Sequence, residues 1–194
     1  LLCDGDQSLG ECQWESLGAH NLSNALAVIA AANTVGVSYA QSLEALANFK
    51  GIKRRLELIG EPRGIKVYDD FAHHPTAIAT TLEGVKQHSP NGRVIAVIEP
   101  RSNTMKMGIH QGKLGNSAVL ADRVFWYSPD SSSKWLHQEI AMFEHQVVCR
   151  NFADMVGQIV AETQAGDHIV VMSNGGFEGI HQILLDSLSV KDQA

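Results

Sequence analysis

The spacing of apolar positions changes character once along this 194-residue chain. From Asn21 to Gly36, "NLSNALAVIAAANTVG", the residues Leu22, Leu26, Ile29 and Ala30 recur at helical intervals, and Gly36 supplies the stop. Ser38 stands where an N-cap belongs, and Leu43, Leu46 and Phe49 mark the apolar stripe of a second short helix. Beyond Arg55 the rhythm turns to short β-branched runs, which predict strands at 65–68, 94–98, 124–127, 147–149 and 169–172. Between and after them, helical spacing falls at 75–88, 107–120, 133–142, 152–164 and 179–188. Nearly uninterrupted apolar strands alternating with helices describe a parallel sheet covered on both faces. The expected fold is therefore α/β, a Rossmann-like, mostly parallel, doubly wound sheet preceded by a helical remnant, with residues 49–55 as the linker.

Composition removes several function classes. Apolar residues at 44% and charged residues at 19% describe an ordinary globular chain, with disorder expected only at its ends. The net charge of -6 and the lack of a lysine and arginine block argue against nucleic-acid binding, so any bound anion must be held locally. Apolar runs such as 94–98 and 168–172 are too short to cross a bilayer, and no signal peptide opens the chain. No membrane partner is expected, and the cytoplasm is the expected compartment. Cys3, Cys12 and Cys149 are odd in number and form no C-x-x-C pair, which reads as reduced thiols in packed positions. A chain that begins at Leu1 without methionine is expected to be part of a longer protein.

Ligands of open parallel sheets bind outside the carboxyl ends of the strands, so the residues there are the candidates for chemistry. "VYDDFAHHPTAI" places Asp69, Asp70, His73 and His74 after the first strand, with Pro75 suited to the first turn of a helix. Three readings stay open for that cluster: metal ligands without a third converging group, turn-shaping residues, or an Asp70 that accepts from a ligand diol while His73 orients a charge. "EPRSNTMKMG" sets Arg101, Ser102, Asn103, Thr104 and Lys106 at a strand-to-helix turn, a pattern suited to a carboxylate or phosphate as well as to a solvated, capped loop. "SNGGFEGIH" offers Ser173, Asn174 and Gly175 in a glycine-rich turn whose spacing is not that of a dinucleotide fingerprint, which disfavours an oxidoreductase. "GAHNLSNALA" presents His20, Asn21 and Asn24 at a helix start, where a cap accounts for Asn21 alone. No G-x-x-x-x-G-K-[ST] loop occurs anywhere; "GIHQGKL" has the wrong spacing.

Taken in order, "GAHNLSNALA", "FKGIKRRLE", "VYDDFAHHPTAI", "EPRSNTMKMG" and "SNGGFEGIH" resemble the ATP-dependent Mur ligases, and the resemblance runs from about Gly18 to Leu185. It implies three domains, of which this chain holds the tail of the central ATPase domain (1–54) and the Rossmann-like carboxyl-terminal domain (55–194). It implies ATP and Mg2+ as cofactors, and UDP-N-acetylmuramate and a murein peptide as small-molecule substrates. A carboxylate is activated as an acyl phosphate, and an amine then displaces the phosphate. By the same resemblance His20, Asn21 and Asn24 lie near the nucleotide and its magnesium, with His20 a candidate metal ligand. Arg55 matches a hinge arginine on the phosphates, Asp70 an acidic residue on the ribose, and His73 a position where ATP and the amine meet. Arg55 and His73 are thus the implied catalytic pair, and Arg101, Ser102, Asn103, Ser173, Asn174 and Gly175 the implied substrate contacts. The loop "PRSNTMKMG" differs from the histidine- and tyrosine-containing loop of the alanine-adding members, which favours a peptide as the incoming amine. A non-catalytic α/β binding module is the alternative for the chain on its own.

Overall fold

The computed structural model describes residues 1–14, 18–89, 91–129 and 134–190. It divides into two compact units, Leu1–Ile52 and Lys53–Ala194. In the first, strands β1 (Leu2–Asp4) and β2 (Gln7–Gly10) form an antiparallel hairpin, followed by helices α1 (Ala19–Thr34) and α2 (Tyr39–Ala47). Ser38 begins α2 with a capping box: its hydroxyl accepts from Gln41 N–H while Gln41 Oε1 accepts from Ser38 N–H. Leu2, Ile29 and Leu43 form a small core. The stripe expected on α1 is rotated, because Ala25 and Ile29 are buried while Leu22 and Leu26 are exposed. The hairpin escaped prediction because "LCDGDQSLG" is mostly polar and has no run of alternation. Cys3, expected in a packed position, is exposed, whereas Cys149 is buried.

The second unit is built on a six-stranded sheet. Its elements in chain order are β3 (Glu57–Gly60), β4 (Lys66–Asp70), α3 (Pro75–His88), β5 (Val94–Ile98), α4 (Asn103–Lys106), α5 (Leu114–Ser117), β6 (Arg123–Tyr127), α6 (Lys134–Ile140), β7 (Gln146–Cys149), α7 (Phe152–Glu162), β8 (His168–Met172) and α8 (Ile180–Val190). The strand order is β3-β4-β8-β5-β6-β7, with every pairing parallel except the edge pair β3–β4. The expected α/β, mostly parallel, doubly wound architecture is what the chain adopts. Strands β5 and β8 are buried at every residue, which is why their sequences read as unbroken apolar runs.

Alternation along the strands supplies a core to each face. Tyr68, Ala96, Ile98, Trp126, Val170 and Met172 meet Ile78 and Leu82 of α3, Leu114 of α5 and Leu136 of α6. Val67, Val97, Phe125, Ile169 and Val171 meet Met155 and Ile159 of α7 and Ile180, Leu184 and Leu188 of α8. The loops after β4 and β5 therefore lead to one face and the loop after β8 to the other. Because β8 lies between them, the switch point of the sheet is at the carboxyl end of β8.

The helix expected over 107–120 is broken. Gly108 and Gly112 take φ of 71° and 80°, and the buried Glu139 carboxylate gathers the N–H groups of Gly112 (2.7 Å) and Gly115 (2.9 Å). Within that span only α5, of 4 residues, remains helical, and α4 ends just before it at Lys106. The expected helix at 133–142 is observed from Lys134, and Ser133 lies outside the described residues.

At the opposite end of the sheet His168 is buried and stacks on Tyr68, whose hydroxyl lies 3.3 Å from His168 Nδ1. Burial, joined by the positive charges of Lys66 and His88 and opposed by Asp167 and Glu61, holds the imidazole below its ordinary pKa. A depressed histidine binds its proton more tightly in the unfolded chain, so its contribution to stability is lost as pH falls below about 6.5. Chemical denaturation from pH 7.5 to 5 is expected to show a smaller loss of stability in His168→Phe than in the unaltered protein. Parallel pH profiles would remove His168 as the cause.

Candidate functional site

The turn after β8, Ser173–Gly179, is clasped from several strands. Ser173 is 1% exposed, and its hydroxyl donates to Glu99 Oε2 at 2.6 Å while accepting from Gly175 N–H at 2.9 Å. Arg54 Nη2 donates to the carbonyl oxygens of Ser173 (2.5 Å) and Gly175 (3.0 Å), and its Nε lies 3.4 Å from Asp69 Oδ2. Farther along, Phe177, Glu178 and Gly179 take φ of 43°, 50° and 75°. Left-handed backbone costs a residue with a side chain about 1–3 kcal/mol, so it must be held from outside. Phe177 is fully buried and stacks on Tyr127, and the Tyr127 hydroxyl donates to Glu178 Oε1 at 2.6 Å. Burial and the adjacent Glu178 carboxylate push the Tyr127 hydroxyl up to about 12, so this donor keeps its proton.

Strand alternation separates the two aspartates of "VYDD". Asp69 faces α8, where its Oδ1 lies 3.2 Å from His181 Nε2. Burial works to raise the Asp69 carboxyl, but His181 and Arg54 together outweigh it and keep it below the ordinary value. Asp70 faces α3 and is 4% exposed. Its Oδ2 accepts from Leu56 N–H at 2.7 Å, and its Oδ1 accepts from Ala72 N–H at 2.7 Å and the Thr81 hydroxyl at 3.3 Å. Burial still leaves its pKa raised, against the pull of those donors and the charge of Arg55. A ribose contact, as expected of Asp70, would have to share a carboxylate already engaged within the chain. Its oxygens are turned inward to backbone and threonine, because a desolvated carboxylate at a strand end must collect donors.

The other expected residues fall in three groups. Ser173, Asn174, Gly175 and Arg101 are brought together at the switch point; an added Cβ on Gly175 would stand 2.7 Å from Arg101 Nη1. Asn174 Oδ1 is buried there without a hydrogen-bond partner among the described residues. Arg55 is exposed, and among the described residues its guanidinium has no hydrogen-bond partner, although its charge reaches Asp70. His73 is half-buried, with Nδ1 2.8 Å from the Phe71 carbonyl. Ser102 serves as a cap, accepting from Met105 N–H at 3.3 Å, and Asn103 is exposed in the first turn of α4. The side chain of Lys106 lies outside what the structure describes. His74 and Pro75 open α3, with His74 Nδ1 accepting from Thr76 N–H. His20, Asn21 and Asn24 lie on α1 of the first unit, behind a Gly18 N-cap.

Sequence reasoning missed Arg54, Glu99, Tyr127, Glu178 and His181 as organisers of the turn. Alternation in β4 is the one signal that would have separated Asp69 from Asp70. Nothing in "KRR" tells the clasping arginine from its exposed neighbour. Among the described residues no three His, Cys, Asp or Glu side chains are placed to hold a metal ion, and no helix is long and apolar enough to cross a membrane.

Comparison with known proteins adds an independent line. Residues 54–175 match the family described as "Mur ligase, glutamate ligase domain". The chain is 48% identical over 200 residues to the UDP-N-acetylmuramate–L-alanyl-γ-D-glutamyl-meso-2,6-diaminoheptandioate ligase of Escherichia coli K12, covering 100% of this chain and 43% of that protein. It is 32% identical over 198 residues to the UDP-N-acetylmuramate–L-alanine ligase of Caldicellulosiruptor bescii, covering 97% of this chain and 43% of that one. A crystal structure of a murein peptide ligase from Psychrobacter arcticus superposes with a TM-score of 0.70 at 50% identity, covering 92% of this chain and 38% of that structure. The chain thus spans less than half the length of these relatives.

Asp70→Ala is expected to leave two amides and a buried hydroxyl unpaired and to lower the unfolding free energy by about 2–4 kcal/mol. Urea denaturation measures it, and a loss under about 0.5 kcal/mol would show that Asp70 does not hold this backbone.

Proposed function

We propose a function from one established premise: this chain belongs to the Mur ligase family. It is the carboxyl-terminal portion of an ATP-dependent ligase that joins the carboxylate of UDP-N-acetylmuramate to the amine of L-alanyl-γ-D-glutamyl-meso-diaminopimelate, in murein recycling in the cytoplasm. The observation that carries the reading is the 48% identity to a peptide-adding relative across the full chain, against 32% to an alanine-adding one.

Within that reaction an amine attacks an activated carboxylate, and negative charge develops on the oxygen and the departing phosphate. Fixed cations and oriented dipoles stabilise such charge because they need no reorganisation when it appears. Arg55 is proposed to meet the phosphates, since it is exposed while its neighbour Arg54 is engaged on Ser173 and Gly175. His73 lies three residues beyond Asp70, its Nδ1 against the Phe71 carbonyl, which fixes the ring for a contact at the amine. Arg101, with Ser173, Asn174 and Gly175, is proposed to receive the peptide. Asn21 and Asn24 are proposed to face adenine. Asp70 serves the site indirectly, through the backbone it holds.

Magnesium fits this chain poorly as a self-contained site, because its described residues place no three candidate ligands together. His20 offers at most one ligand.

The 194-residue chain contains no phosphate-cradling P-loop. Purified alone it is expected to fold and to form no amide from UDP-N-acetylmuramate, tripeptide and ATP, while the longer protein that contains it does. Coupled ADP release with chromatographic detection of the UDP-linked product measures both. Preference of the longer protein for free L-alanine over the tripeptide would replace this reading with the alanine-adding one.

A further inference from the structure

Glu99 follows β5 directly, and its side chain is 14% exposed. One oxygen accepts the Ser173 hydroxyl at 2.6 Å; the other lies 4.0 Å from Arg101 Nη1. Since the Ser173 oxygen also accepts from Gly175 N–H, carboxylate, hydroxyl and amide form one continuous chain across the switch point. Gly175 completes the arrangement. A Cβ there would stand 2.7 Å from Arg101 Nη1 and 2.8 Å from its Cδ, so glycine is what lets the arginine lie against the turn.

Two considerations separate positioning from plain structural support. First, the turn is already secured from below, because Arg54 binds the carbonyls of Ser173 and Gly175, and the Ser173 N–H donates to the Asp70 carbonyl at 3.1 Å. Second, an ion pair at 4.0 Å on a half-exposed guanidinium adds little stability, because solvent screens it. What Glu99 changes is direction. Arg101 is confined between a carboxylate and a bare glycine on one side and remains 53% exposed on the other. An arginine held so presents its fork to an anionic group without first giving up its own rotational freedom.

We infer that Glu99 is a positioning residue for the incoming substrate: with Ser173 and Gly175 it holds Arg101 where the guanidinium receives an anionic group of the amine-bearing peptide. The inference rests on the peptide-ligase reading above, and its test uses the full-length enzyme that contains this chain. Glu99→Gln keeps an acceptor for Ser173 and removes the charge facing Arg101. Glu99→Ala removes both. Gly175→Ala leaves Glu99 intact and displaces the arginine. The expected result is a peptide KM raised about tenfold in Glu99→Ala and Gly175→Ala and about threefold in Glu99→Gln, with kcat and the KM for ATP within about twofold of the parent. Unchanged peptide KM, or kcat and ATP KM moving together with it, would overturn the inference.

A second measurement needs no turnover. The Gly175 amide is expected to exchange its hydrogen about tenfold faster in Glu99→Ala than in the parent, and equal exchange rates would also overturn the inference. An inactive parent enzyme that retained this difference in exchange would count against the ligase reading alone.

Discussion

A buried carboxylate organises the site from beneath. Asp70 sits at the end of a parallel strand, where the ladder no longer supplies partners, and an ionised carboxyl in that position is costly unless donors converge on it. The donors come from both sides of the chain: Leu56 N–H before the strand, Ala72 N–H after it, and Thr81 from α3. Tying Leu56 to Asp70 fixes the approach to the sheet, where Arg54 and Leu56 take φ of 59° and 51°. The Arg54 carbonyl accepts from Phe71 N–H, and Arg54 N–H donates to Glu57 Oε2, so the same segment is closed twice more. Only with this backbone in place does the Arg54 guanidinium reach the carbonyls of Ser173 and Gly175.

The sheet's connectivity explains why those carbonyls matter. Loops after β4 and β5 leave toward one face and the loop after β8 toward the other, so β8 ends in a crevice flanked by both neighbours. Glu99 comes from one flank and Asp69 from the other. The strict alternation of β4 then divides its two carboxylates, Asp69 toward His181 on α8 and Asp70 toward Thr81 on α3. Two adjacent and chemically identical residues acquire opposite shifts in acidity for that reason. Asp69 has Arg54 and His181 beside it, whereas Asp70 has mainly neutral donors and a drier setting.

Much of this fold was legible because its signals are local. The strand at 94–98 and the helix at 75–88 were read to the residue, since an unbroken apolar run and a proline at the first helical position leave little choice. The edge strand β3 was not, because "ELIG" is short, half-exposed and antiparallel, so it lacks the buried-strand pattern. The helix expected over 107–120 failed for a tertiary reason: Glu139, 24 residues beyond Gly115, captures amides that a helix would have used. The motifs fall at the carboxyl ends of β4, β5 and β8, which flank one crevice, but they do not show which side chain holds which. Arg54 and Arg55 look alike in sequence, and the distinction arises from a carbonyl-rich turn more than 100 residues away.

Strain gives the last step of the argument. Arg54, Leu56, Phe177 and Glu178 all carry positive φ, and they flank the crevice on two sides. Each costs about 1–3 kcal/mol in isolation, so the surrounding contacts must over-determine them. They do: Asp70 and Glu57 hold the first pair, Tyr127 holds the second, and Arg54 bridges the two segments. The backbone of the crevice is therefore fixed before any ligand arrives. The charges of Arg55 and Arg101 lie outside that fixed backbone and face outward, and Arg101 is already confined by Glu99 and Gly175. A crevice built this way would place the ordering cost of any ligand on a few exposed side chains rather than on its loops.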